Sequence, residues 1–107
     1  MGYSCDNWVI IRLNCEKPYY KLLTGTSGGY LDGDSWRMNS GITEIEKEGD
    51  YYLVKGVSGS VYRCHKNSYR LRMNNAQIWT GLKERNGAMV DMLDEDEWKQ
   101  EMKDFMK

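Results

Sequence analysis

The sequence predicts an α+β fold: an antiparallel sheet or small SH3-like barrel of about 5–7 short strands, followed by two C-terminal helices. Three observations predict it. Between Trp8 and Met73, short β-branched and aromatic runs alternate with clusters of Gly, Ser, Asn and Asp. After Met73 the apolar residues take a helical spacing instead. The chain has 107 residues, 40% of them hydrophobic, which suits one modest core.

The first strand is Trp8-Val9-Ile10-Ile11-Arg12-Leu13, compact and β-branched. Further strands are expected over 19–23, 35–38, 42–46, 51–55, 61–65 and 69–73. Glu48-Gly49-Asp50 reads as a tight hairpin between two of them. Pro18 is the single proline, so the turns are built by glycine and asparagine, which tolerate positive φ. Ile78, Trp79 and Leu82 then form one apolar stripe of a helix that Asn74 or Asn75 can cap and Gly87 can end. A second helix opens at Asp94, with Glu97 as its capping-box partner, and carries the stripe Trp98, Met102, Phe105 and Met106. Residues 1–107 are read as a single domain, β-rich over 1–73 and helical over 75–107.

An internal echo runs through the β-rich part. Gly25-Thr26-Ser27-Gly28 and Gly56-Val57-Ser58-Gly59 each follow an apolar β-run and precede an aromatic, then Arg and Met-Asn. The pattern suggests a duplicated hairpin, over 19–39 and 51–74, each copy turning at a Ser-Gly pair within one sheet. Chance recurrence of strand–turn–strand chemistry in a Gly- and Tyr-rich chain is the competing explanation.

Composition narrows the function classes. Charged residues are 29% with a net charge of -1, which fits neither a polycation nor an acidic solvating tail. Mean hydropathy is -0.75, and no apolar run approaches the roughly 20 residues of a membrane helix, so a soluble, cytoplasmic protein is expected. Cys5, Cys15 and Cys64 are odd in number and irregular in spacing, which favours a reducing compartment over a disulfide framework. They are read as small, partly buried apolar residues. Gly2 invites myristoylation, but Asp6 stands where Ser or Thr is needed.

The usual chemistries find little support. His65 is the single histidine, and on a strand it points away from its neighbour Cys64, so the two do not form a dyad with each other. The cysteine spacing does not match a zinc site. Asp32-Gly33-Asp34 would put Trp36 or Met38 where a calcium loop needs oxygen, and reads as a turn. Gly25-Thr26-Ser27-Gly28-Gly29 lacks the Lys and the helix of a phosphate loop. No cofactor, no metal and no enzyme activity are expected.

Charge is unevenly placed. The stretch 59–83 holds no acid but carries Arg63, Lys66, Arg70, Arg72 and Lys83, interleaved with Tyr62, Tyr69 and Trp79. The tail then collects Glu84, Asp91, Asp94, Glu95, Asp96, Glu97, Glu101 and Asp104. A basic, aromatic-studded strip is what single-stranded nucleic-acid binders use, whereas an acidic helix can dock on a basic groove or simply neutralise the strip within one molecule.

Trp36-Arg37-Met38-Asn39-Ser40-Gly41-Ile42 and Ser58-Gly59-Ser60-Val61-Tyr62 resemble the layout of short uncharacterised accessory proteins of phages and mobile elements, over about a third of the chain. The resemblance brings no catalytic residue with it. It implies a small protein that binds and blocks a host protein or complex, as anti-CRISPR and other anti-defence inhibitors do, inside a bacterial cytoplasm. The expectation is a non-enzymatic inhibitor acting by protein–protein contact, with Tyr62, Arg63, Tyr69, Arg70 and Arg72 as the contact surface, because Tyr and Arg are enriched at hot spots. The alternative is a nucleic-acid-binding small β-barrel using the strip 59–83. Oligomeric state is left open.

Overall fold

A computed structural model describes the backbone of residues 2–29, 33–71 and 73–106, and the side chains of 5–25, 36–71 and 76–106. Asp32 and Arg72, singled out in the sequence, lie outside the described residues, as do the side chains of Asn74 and Asn75.

The α+β class holds. Strands β1 (Gly2–Cys5), β5 (Ile42–Glu48), β6 (Tyr51–Gly56) and β7 (Val61–His65) form one sheet in the order β1-β7-β6-β5. Strands β2 (Asn7–Leu13), β3 (Tyr19–Gly29), β4 (Gly33–Met38) and β8 (Val90–Leu93) form a second, in the order β4-β3-β2-β8. Among the described residues the named strands pair antiparallel except β1 with β7. Among the described residues the two sheets stay separate and do not close into a barrel. Helix α1 (Met73–Asn86) and helix α2 (Glu95–Glu101) follow, with β8 between them, so the C-terminal part is not purely helical.

Four consecutive apolar residues in β2 have a simple cause. As an inner strand covered on both faces, β2 cannot alternate apolar with polar. Trp8 and Ile10 point into the space between the sheets, where they meet Leu22, Ile45, Val54, Tyr62, Leu93, Trp98 and Met102. Val9 and Ile11 point the other way and pack with Leu23 and Val90 beneath Ile78, Trp79 and Leu82 of α1. The α1 stripe read from the sequence is therefore the face that covers the second sheet. Asn74 and Asn75 fall inside that helix, which starts at Met73, and Gly87 ends it at φ +54°.

The second helix also matches its sequence. Asp94 accepts from the Glu97 amide at 2.8 Å while Glu97 accepts from the Asp94 amide at 3.0 Å, and Trp98 and Met102 are fully buried. Trp98 completes an aromatic cluster with Trp8 (5.6 Å between ring centroids) and Tyr52 (5.2 Å).

Three expectations are corrected. Residues 69–73 are not a strand: Tyr69 makes one parallel bridge with Trp8, and the chain turns into α1. The Tyr69 hydroxyl instead accepts from the Ile10 amide (2.9 Å) and donates to the Leu93 carbonyl (2.5 Å), standing between β2 and β8. The first Gly-x-Ser-Gly copy continues β3, with a register shift between Thr26 and Gly29, whereas the second is the β6–β7 turn; the two hairpins thus sit in different sheets. Finally, Cys15 is exposed, while Cys64 is buried and Cys5 half-buried.

Candidate functional site

Helix α1 covers the outer face of the second sheet with one narrow stripe. A single helix, about 10–12 Å across, is narrower than four strands spaced about 4.8 Å apart and cannot seal their whole face. Where the helix stands off from the edge strand β4, a cavity of about 380 Å³ opens between Trp36 and Met38 on one wall and Ile78, Gly81, Leu82 and Arg85 on the other. A smaller recess of about 100 Å³ shares Met38 and Leu82 and runs down to Ile11 and Val90.

The lining is apolar with one cation at the mouth. Trp36 is 46% exposed, unlike Trp8 and Trp98, which are wholly buried. Gly81 leaves the helix surface bare, and the Arg85 guanidinium lies beside it, 3.6 Å from where a Cβ would stand. Arg85 forms no ion pair among the described residues. A glycine inside a helix costs about 1 kcal/mol relative to alanine, yet here it holds the groove open.

The residues expected from the sequence do not gather into one surface. Tyr62 is 5% exposed and belongs to the core between the sheets, because β7 alternates inward Tyr62 and Cys64 with outward Val61, Arg63 and His65. Tyr69 is packed against the same core, and burial pushes its phenol above the ordinary tyrosine range. Tyr62 leaves the contact surface for that reason, whereas Tyr69 is half-buried and still lines an open depression. Arg63 stays outward on the first sheet, its guanidinium 3.8 Å from the centre of the Tyr51 ring. Arg70 is exposed in that same depression on the second sheet, beside Tyr69, Leu71, Met92, Asp94 and Glu95. Arg72 lies outside the described residues.

The basic strip is similarly divided. Lys66 pairs with Asp50 at 3.2 Å, and Lys83 donates to the Val90 carbonyl at 2.8 Å and sits 3.5 Å from Asp91. The acids of the tail are engaged too. Asp91 and Glu101 both meet Arg12, Asn14 donates to Asp91 at 2.8 Å, Tyr20 donates to Glu101 at 3.1 Å, and Lys99 pairs with Glu95. Hydrogen bonds from Asn14 and Arg12 hold the Asp91 carboxyl below the usual carboxylate range.

His65 turns its ring edge onto Tyr51, 5.0 Å between centroids, and its Nδ1 accepts from the Asn67 amide at 3.1 Å. Cys64 points to the opposite face, where its sulfur lies 3.3 Å from that of Cys5. Among the described residues no three His, Cys, Asp or Glu side chains come together as metal ligands would. Comparison with family models, with curated proteins and with solved structures found no match to the chain.

The α1–β4 groove escaped the sequence reading because its walls come from segments about forty residues apart. One local signal was available. Gly81 interrupts an otherwise well-formed helical segment, and Arg85 follows one turn later on the same face.

Proposed function

We propose that the chain is a non-enzymatic binding protein that works by protein–protein contact, gripping a segment of its partner in the groove between α1 and β4. The observation that carries this reading is Trp36, left half-open beside Met38, Ile78 and Leu82 with Arg85 at the rim. Trp and Arg dominate interface hot spots, and a groove of this volume takes one or two large apolar side chains. Burying each contributes about 1.5–3 kcal/mol. An acidic group on the partner would complete the site by meeting Arg85. The resemblance to phage accessory proteins supports the narrower role of an anti-CRISPR-like inhibitor that occupies a host defence complex.

Nucleic-acid binding over the strip 59–83 draws less support. Two of its lysines are committed to Asp50 and Asp91, and Arg63 is already stacked on Tyr51. A salt titration of oligonucleotide binding separates the two readings, since phosphate contacts weaken steeply with salt.

The decisive comparison is capture of a partner from bacterial lysate by the wild type, Trp36→Ala, Gly81→Leu and Met89→Ala. Gly81→Leu replaces a poor helix former with a good one and fills the groove, so it tests occlusion without weakening the helix. Met89 is exposed elsewhere and serves as the control. The wild type and Met89→Ala should retain the same partner, and the two groove variants should lose it. Retention that is undiminished by both groove variants overturns the proposal.

A further inference from the structure

One reactive pair plays no part in the groove. Strand β1 runs parallel to β7 in a register that sets Cys5 directly beside Cys64. Adjacent strands lie about 4.8 Å apart, inside the roughly 4.4–6.8 Å Cα separation that a disulfide spans. Both side chains point to the same face of the sheet, and their sulfurs are 3.3 Å apart. Rotation of the two side chains brings that separation to the bond length of about 2.05 Å. Cys5 ends β1; at Asp6, whose amide donates to the Gly25 carbonyl at 2.9 Å, the chain passes from the first sheet to the second. The third thiol, Cys15, is exposed and belongs to a different part of the fold.

We propose that Cys5 and Cys64 are a redox-responsive pair that closes to a disulfide when a disulfide oxidant such as oxidised glutathione is supplied, fastening β1 to β7 at the corner between the sheets. Cys5, half-buried, attacks one glutathione sulfur as its thiolate, forming a mixed disulfide and releasing one glutathione thiolate, which takes up the proton lost by Cys5. The Cys64 sulfur then attacks the Cys5 sulfur, the second glutathione leaves as thiolate, and it takes up the proton lost by Cys64. Two protein thiols are oxidised and one oxidised glutathione is reduced to two thiols. Cys64 is fully buried and Cys5 only half-buried, which makes Cys5 the entry point and Cys64 the resolving partner.

The test uses the full chain carrying Cys15→Ser, so that only this pair remains. After incubation with oxidised glutathione it should lose both alkylatable thiols and the mass of two hydrogens, stay monomeric on a non-reducing gel, and return to the starting state with dithiothreitol. Its thermal midpoint should rise by roughly 10 °C, as expected for a link between residues so far apart in sequence. The Cys5→Ser, Cys15→Ser protein should show none of these changes. Two persistent free thiols in Cys15→Ser, a glutathione adduct on Cys5 that never resolves, or covalent dimers in place of the internal link would each overturn the proposal.

Discussion

The two sheets are built from similar residue types but read differently, and the difference is coverage. In the first sheet, β6 and β7 alternate: Tyr52, Val54, Tyr62 and Cys64 point inward, while Tyr51, Leu53, Lys55, Arg63 and His65 point outward. No helix lies over that outer face among the described residues. In the second sheet, β2 and β3 place apolar side chains on both sides, toward the shared core and toward α1. Strands β6 and β7 therefore tolerate change at every second residue, and the middle of β2 and β3 at almost none. Where coverage of the second sheet stops short, at β4, the groove begins.

Neighbouring substitutions break or sharpen this contrast most directly. Leu22→Ala and Leu23→Ala, adjacent in β3 and facing opposite layers, should each lose about 2–5 kcal/mol in chemical denaturation. In β6 the inward member of the pair should be much the costlier: Val54→Ala is strongly destabilising, and Leu53→Ala, half-buried on the uncovered face, costs no more than about 1 kcal/mol. A large loss at Leu53 would mean that the outer face of the first sheet is covered after all.

The seam between the sheets is the next place to look. A Cβ at Gly56 would stand 3.2 Å from Asn39 Nδ2 and 3.3 Å from the Gly41 carbonyl oxygen, and Asn39 is itself tied to the Leu22 amide at 2.8 Å. Gly56→Ala should cost about 1–3 kcal/mol by overpacking. Removing the capping box with Asp94→Ala should cost about 1 kcal/mol and loosen Trp98 and Met102, which the helix carries into the shared core. Loss of near-ultraviolet aromatic dichroism would report the change at Trp98.

The smallest effect is electrostatic and belongs to the second sheet alone. Asp91 has a folded-state pKa below its unfolded value, so it stabilises the fold at neutral pH. That contribution fades as acid protonates the folded carboxylate, from about pH 4 downward. The wild-type melting temperature should fall over that range by more than that of Asp91→Asn. Equal slopes would remove Asp91 from the account.

Much of the fold was legible wherever a local pattern carried the whole cause. The run Trp8 to Ile11 announced a strand, Asp94 and Glu97 announced a helix start, and Glu48-Gly49-Asp50 marked a hairpin, with Gly49 at φ +61°. Residues 69–73 misled because Tyr69, Leu71 and Met73 alternate as a strand would, although their partners are a single bridge and a helix start. Strand β8 passed unseen: four residues between Gly87 and Asp94 take their extended form from pairing with β2, nearly eighty positions earlier. Tyr62 was misplaced for the same reason. Residue type identified Tyr62 and Tyr69 as sticky, but only the strand partners determine which way a ring points.

The phenol of Tyr69 has a consequence for how the C-terminal segments find their places. By occupying the gap between the Ile10 amide and the Leu93 carbonyl, it acts as an index pin. A slip of β8 by one residue would carry the Leu93 carbonyl away from the phenol and leave the buried hydroxyl proton without its acceptor. Since β8 lies between the two helices in the chain, the phenol helps fix the strand from which α2 departs and on which α1 also rests.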